Sequence, residues 1–230
     1  MISIIIPTLN EASNIEKLLP YLKKCCDGKE CEIIVADCGS TDGTMDIGNN
    51  YGAILVATSC KGRAVQMNSG AAVAKFDILY FVHADSIPPE SFFDDIVNAV
   101  NDGFGLGRYQ TRFEGNNWLL RVNAFFTRFD WFVCYGGDQT LFITRPLFAK
   151  LCGYDEKLLI MEEYDLVKKA KEYARYKIFK KTALVSIRKY KTNSWIQVQR
   201  ANYKIMQQYQ KGVSQTELVK NYKQLLKNLK

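Results

Sequence analysis

Histidine occurs once in this sequence, as His83, and no two cysteines stand in a Cys-x-x-Cys spacing. A zinc ribbon is therefore not expected. The seven cysteines, at positions 25, 26, 31, 38, 60, 134 and 152, are odd in number and come without a secretory signal. A disulfide framework is not expected either, and free, mostly buried thiols are the plain reading. No apolar run approaches the roughly 20 residues of a transmembrane helix. Residues 1–6 lack a basic n-region, and their apolar run ends at Pro7, which points to a cytoplasmic protein without a signal peptide. Internal repeats, low-complexity tracts and an interdomain linker are also missing. Two ligand signatures are absent as well. The loop after the first apolar run, Pro7-Thr8-Leu9-Asn10-Glu11, is neither Gly-x-Gly-x-x-Gly nor a Gly-rich loop with a lysine. The first absence argues against a dinucleotide oxidoreductase, the second against a nucleotidyltransferase.

What remains is ordinary globular composition, 47% hydrophobic and 24% charged, in a length of 230 residues that suits one large domain. The charge is uneven. Between Arg188 and Lys230 there are ten Lys or Arg and one acid, Glu217, so this tail carries +9 of a whole-chain net charge of +7. The rest of the chain is near neutral at −2. The tail could meet an anionic membrane surface, a nucleic acid or an anionic substrate. No recognised nucleic-acid module accompanies it, so nucleic acid is not expected as a partner.

The first half alternates strand and helix signals. Residues 2–7, 32–36, 53–57 and 78–82 read as buried strands, the first ended by proline. Ser13-x-x-Glu16 reads as a capping box opening a helix with Ile15, Leu18, Leu19 and Leu22 on one face. Residues 63–74 read as a small-residue helix, and Pro88-Pro89 as the opening of another that runs to about Val100. The pattern predicts an α/β fold with a mainly parallel sheet covered by helices. In the second half, strands are expected at 106–113, 141–144 and 177–187. Helices are expected at 118–131, from Pro146, and at 163–174, 195–210 and 216–229. The last two carry apolar residues at helical spacing with Lys and Arg opposite. Docking onto the body explains that pattern as well as peripheral contact with the inner face of a membrane does.

Ligands of open α/β sheets lie at the carboxyl ends of the strands, where strand order reverses. Acids and small residues cluster there. They are the loop of residues 7–11, Asp37-Cys38-Gly39-Ser40-Thr41-Asp42-Gly43-Thr44, and His83-Ala84-Asp85-Ser86. Three such ends in succession suggest a nucleotide diphosphate and its metal. Asp37 could accept a pyrimidine ring N–H or bind ribose hydroxyls, or be a turn residue. Asp85 could hold a hard divalent cation, Mn²⁺ or Mg²⁺, between the phosphates, or cap the next helix.

In order and spacing these segments, together with Met161-Glu162-Glu163-Tyr164-Asp165-Leu166, resemble family 2 glycosyltransferases of the GT-A fold. The resemblance covers most of residues 1–190, leaving 191–230 as a basic amphipathic helical extension. Lys61-Gly62-Arg63-Ala64-x-Gln66-Met67-Asn68-x-Gly70 and Gly137-Asp138-Gln139 look most like the small bacterial arsenosugar-type or rSAM-associated group. The resemblance implies an inverting transfer of a sugar from a nucleotide-diphosphate sugar to a hydroxyl acceptor, with a UDP-sugar favoured and a GDP-sugar not excluded. It places Pro7, Thr8, Glu11 and Asp37 around base and ribose, with Asp42 beside them or capping the next turn. Arg63, His83, Ala84 and Arg188 fall near the diphosphate, Asp85 on the metal, and Gly137, Asp138 and Gln139 on the acceptor side. Of Glu162 and Glu163, the second is implied as the general base, with Glu162 the alternative.

Two positions depart from the family pattern. His83 stands where the metal motif has its first acid, and can be a metal ligand, a diphosphate donor or a buried spacer. Glu163 stands where the family has Asp, one methylene shorter. The bland reading of both glutamates is first-turn acids favoured by the helix dipole. A catalytically silent nucleotide-sugar binding module is the alternative function, and a nucleotidyltransferase a weaker one.

Overall fold

The structure, a computed structural model, describes residues 1–58, 62–135 and 140–227. Strand β1 (Ile2–Thr8) is buried along its whole length and lies between β2 (Cys31–Asp37) and β4 (Ile78–Phe81), parallel to both. Strand β3 (Ile54–Ala57) extends the parallel half beyond β2. On the other side, β7 (Leu141–Thr144) runs antiparallel to β4 and to β6 (Phe104–Phe113). β6 pairs parallel with β8 (Arg175–Val185), and β5 (Ser86–Ile87) closes that edge antiparallel to β8. The order is β3-β2-β1-β4-β7-β6-β8-β5, a mixed sheet whose first half is the expected parallel one.

Alternation along β1 sorts the core into two layers. Ile2, Ile4 and Ile6 pack with Ile15, Leu18, Leu19 and Leu22 of α1 (Ala12–Cys25) and with Phe92 and Ile96 of α4 (Phe92–Asn101). Ile5 packs on the other face with Ala64, Met67 and Ala71 of α3 (Arg63–Val73). That face is completed by α6 (Arg145–Lys150) and α7 (Glu162–Ala170). The small residues of α3 permit a close approach. A Cβ on Gly70 would stand 2.5 Å from Ile5 Cγ2.

Several elements begin or end away from their expected limits, for identifiable reasons. Ser13 does not cap α1. The helix starts at Ala12, its N-cap Glu11 makes no side-chain cap, and Asp42 Oδ2 accepts from Ala12 N at 3.0 Å instead. The helix expected over 118–131 is α5 (Trp118–Phe126), followed by a 3-10 turn at Phe132–Cys134. Buried Arg108 draws the chain away there, donating to the carbonyls of Thr127 (2.7 Å) and Phe129 (3.1 Å). Pro88 and Pro89 precede α4 rather than lie in it, because β5 takes the chain across to β8 first. Short α2 (Thr44–Asn50) and α8 (Arg188–Thr192) were not expected. The tail forms α9 (Trp195–Gln210), matching the expected bounds, and α10 (Gln215–Leu225). Val198, Ala201 and Leu226 form a small separate core between them, and Gln215 Oε1 accepts from Leu159 N and Ile160 N at 3.1 and 3.2 Å. Among the described residues no helix is long and apolar enough to cross a membrane. The six described cysteines form no disulfide with one another, and of them only Cys38 and Cys134 are buried.

Candidate functional site

Strand order reverses at β1, and the strands separate there. The last link between β1 and the β4 end runs from Val82 N to Ile5 O at 3.0 Å. Residue 7 faces the same side as residue 5, and it is proline, which brings no N–H to the opened crevice. Gln66, a buried side chain of α3, spans the other side. Its Nε2 donates to Thr8 O at 2.6 Å and to Ala36 O at 2.9 Å, tying together the ends of β1 and β2. Its role was not read from the sequence, where Gln66 figured only as part of a motif. Replacing Gln66 with Leu leaves two buried carbonyls without this donor. We expect a loss of about 1–3 kcal/mol of stability, read as the shift in a urea-unfolding midpoint at unchanged slope.

Asp37 ends β2 and is buried. Its carboxylate accepts from Thr8 Oγ1 (2.8 Å), Ser40 N (2.8 Å) and Ser40 Oγ. Three of about four acceptor positions are thus filled, which fixes the carboxylate and leaves one. Asp42 serves as a cap. It accepts from Ala12 N, Thr44 N and Thr44 Oγ1, and these bonds, that from Thr44 Oγ1 foremost, hold its carboxyl below the usual range.

The ends of β4 and α8 meet across the crevice. Arg188 Nη1 lies 3.1 Å from Glu11 Oε1, and Arg188 Nη2 lies 3.5 Å from Asp85 Oδ2. Residues 11, 85 and 188 are therefore gathered by one guanidinium. Asp85 does not cap the following helix, whose N-cap is Ser91. Its side chain is 27% exposed.

Helix α7 delivers the paired acids to the same place. His83 Nε2 lies 3.0 Å from Glu163 Oε1, with both side chains buried. The two positions singled out in the sequence as departures are thus in contact, the Glu163 carboxylate reaching the His83 ring. Burial alone would lower the His83 pKa, but the charge and hydrogen bond of Glu163 outweigh it and raise the value. Glu162 is pushed upward by burial, which outweighs the opposing pull of Arg63, and the charge of Glu163 adds to the rise. Arg63 Nε stands 2.8 Å from Glu162 Oε1 without hydrogen-bond alignment, and neither Glu162 oxygen makes a hydrogen bond among the described residues. A buried acid so sparsely satisfied is uncommon outside functional sites. The backbone is strained next to both clusters. Met161, just before the acids, has φ 71°, and Asn10, in the first loop, has φ 52°.

Pro7, Thr8, Glu11, Asp37, Arg63, His83, Ala84, Asp85, Glu162, Glu163 and Arg188 therefore converge on the carboxyl ends of β1, β2 and β4, whereas Asp42 serves the adjoining turns. Gly137, Asp138 and Gln139, expected on the acceptor side, lie outside the described residues, as does Lys61. Among the described residues no three His, Cys, Asp or Glu side chains are grouped to hold a metal ion.

The Glycosyl transferase family 2 profile matches residues 3–149, more than half of the chain. The chain belongs to this family. Glucosyl-3-phosphoglycerate synthase of Mycobacterium tuberculosis is 32% identical over 161 residues, covering 65% of this chain and 48% of the synthase. Glycosyltransferase AglE of Haloferax volcanii is 30% identical over 107 residues, covering 44% of this chain and 35% of AglE. The chain thus spans half or less of the length of these family members. Its GT-A fold is shared with the mannosyltransferase PcManGT of Pyrobaculum calidifontis, solved with GDP-Man and Mn²⁺. That match has a TM-score of 0.69 at 18% identity and covers 89% of this chain and 61% of the other. S. aureus TarS superposes with a TM-score of 0.67 at 18% identity, over 80% and 60% of the two chains.

Proposed function

We propose that the chain transfers a sugar from a nucleotide-diphosphate sugar to a hydroxyl acceptor, with inversion at the anomeric carbon. The observation that carries this is the convergence of four distant segments. Glu11, Asp85 and Arg188 share one set of ion pairs, and Glu163 is hydrogen-bonded to His83, two residues from Asp85. Family membership supports the same reaction class, and related enzymes are crystallised with UDP-GlcNAc, with UDP and Mn²⁺, and with GDP-Man and Mn²⁺.

In this reading the open acceptor position of Asp37 takes a base N–H or a ribose hydroxyl, a contact that suits a UDP-sugar and does not exclude a GDP-sugar, while Arg63 and Arg188 face the diphosphate. Glu163 takes the proton from the acceptor hydroxyl as its oxygen attacks the anomeric carbon. His83 orients that carboxylate, and Glu162 holds Arg63. The residues fit a divalent cation: Asp85 offers one hard oxygen ligand, and Mg²⁺ or Mn²⁺ is commonly held by one carboxylate with phosphate oxygens and waters. When bound there, the cation supplies Lewis-acid stabilisation of the leaving diphosphate. Residues 1–190 are taken as the transferase domain and 191–230 as its extension, a division supported by the separate core of α9 and α10. Within the motif that suggests the arsenosugar-type group, Gln66 and Asn68 hold structure, Asn68 bonding both N and O of Tyr154 at 2.9 Å.

Release of nucleoside diphosphate from a panel of UDP- and GDP-sugars, with Mn²⁺ and with water as the fallback acceptor, tests the activity. A protein that binds these donors and releases nothing would be the silent binding module instead.

The contact between the two departures makes a further expectation. His83→Asp and Glu163→Asp, measured singly and together, should be non-additive in transfer rate by at least about 0.5 kcal/mol, the double variant recovering part of the loss. Additive losses would show that His83 and Glu163 act independently.

A further inference from the structure

Six large apolar side chains stand in solvent on one stretch of chain. They are Trp118, Val122, Phe125 and Phe126 of α5, and Trp131 and Val133 beyond it. Trp118 is 68% exposed. Trp118, Val122 and Phe125 follow at steps of four and three residues, which sets them on one helix face. Leu120 is the one fully buried side chain of α5. The outward stripe is thus the reverse of an ordinary surface helix, which hides its apolar face. The rings also pack on each other: Phe129 stacks on Trp131 at 4.7 Å, and Phe125 meets Phe126 edge-on at 5.7 Å.

The patch is bordered by positive charge. Arg112, Arg121 and Arg128 are exposed beside it, with Arg128 lying 3.9 Å from the centroid of the Phe125 ring. Of the two acids on this stretch, Asp130 is paired with Lys171 at 2.6 Å, leaving Glu114. The basic tail adjoins the same side. Asn123 Nδ2 on α5 and Gln199 Nε2 on α9 both donate to the Tyr190 hydroxyl at 3.4 Å. From α9, Ile196, Arg200 and Tyr203 face solvent at steps of four and three. The patch also leads to the site, since Phe132, between exposed Trp131 and Val133, packs against Tyr164, the neighbour of Glu163, at 5.2 Å.

We infer that the outer face of α5, with Trp131 and Val133, docks on an anionic lipid surface, the arginines at its border and the face of α9 meeting the headgroups. Tryptophan and phenylalanine on one helix face with arginine at the edge is the composition that lies in a bilayer interface. Each Lys or Arg near such a surface adds attraction that salt weakens. The charge favours lipid over a second copy of the chain. Two such faces brought together would oppose arginine to arginine, with Glu114 as the one acid of residues 112–133 that has no ion pair among the described residues.

Co-sedimentation of the full chain with vesicles tests this. Two compositions serve, phosphatidylcholine alone and phosphatidylcholine with phosphatidylglycerol at two to one. We expect binding to the mixed vesicles, at least about tenfold weaker binding to phosphatidylcholine alone, and weakening by salt. Trp118→Ser with Phe125→Ser should weaken binding at least about tenfold, and Arg121→Glu with Arg128→Glu should do so too, at unchanged circular dichroism and melting temperature. Failure to bind the mixed vesicles, or equal binding by the Trp118→Ser, Phe125→Ser variant, would overturn the inference. So would a dimer in sedimentation velocity that this variant abolishes while no vesicle is bound, which would assign the face to a second copy. Vesicle binding reads out whether or not any donor is turned over.

Discussion

Glu163→Gln should lower the rate of sugar transfer by about 10²–10⁴-fold while leaving nucleotide-sugar binding within a few-fold of the parent. Glutamine keeps the length and one oxygen of the side chain, so the contact with His83 Nε2 survives and the fold is undisturbed. What it loses is the ability to take a proton. A fall in kcat at constant donor affinity is therefore the signature of a base, whereas loss of affinity would mark a binding group. Glu162→Gln is the companion measurement, because both acids lie in the first turn of α7 and both are buried. Glu162 sits against Arg63 rather than His83. Its replacement should weaken donor binding, through Arg63, more than it slows the chemical step. The reverse pattern would exchange the two roles.

Asp85→Ala should abolish turnover and, with it, the stabilisation that Mn²⁺ adds to a nucleotide complex. The protein itself should remain folded, since the side chain is part-exposed and its ion pair with Arg188 is long at 3.5 Å. A ligand at 100 times its dissociation constant raises stability by about 2.7 kcal/mol, which a thermal melt resolves easily. In the parent that gain should depend on Mn²⁺. In Asp85→Ala, melts with and without the metal should coincide. Undiminished turnover in Asp85→Ala would remove the metal assignment.

Much of this site is legible in the sequence because strand ends are local signals. An apolar run that stops at Pro7, or at Asp37, or at His83, marks both a strand and the loop that follows it. Helix α9 is equally plain, with a capping Ser194 and a long apolar period, and its bounds match the expected ones. The elements that escaped are short or built by distant contacts. The sequence of α2, Thr44–Asn50, has no helical period, and β5 has two residues, paired with distant β8. Ser13 looks like a cap, yet the helix begins one residue before it, at Ala12, whose N–H donates to Asp42, thirty residues away. The aromatic run after Trp118 keeps a helical pattern, but Arg108 captures its carbonyls and ends it. The contact between His83 and Glu163 joins residues eighty positions apart, and in sequence each is only an isolated departure.

The most direct measurement is a calorimetric titration of UDP, and of GDP in parallel, into the parent chain and into Asp85→Ala, each with Mn²⁺ and with a chelator. Saturable binding of one nucleotide by the parent, strengthened by Mn²⁺ and stripped of that dependence in Asp85→Ala, is the expected result. Neither nucleotide binding to the parent, or equal binding across all four conditions, would contradict a metal-assisted nucleotide-sugar site at the ends of β1, β2 and β4.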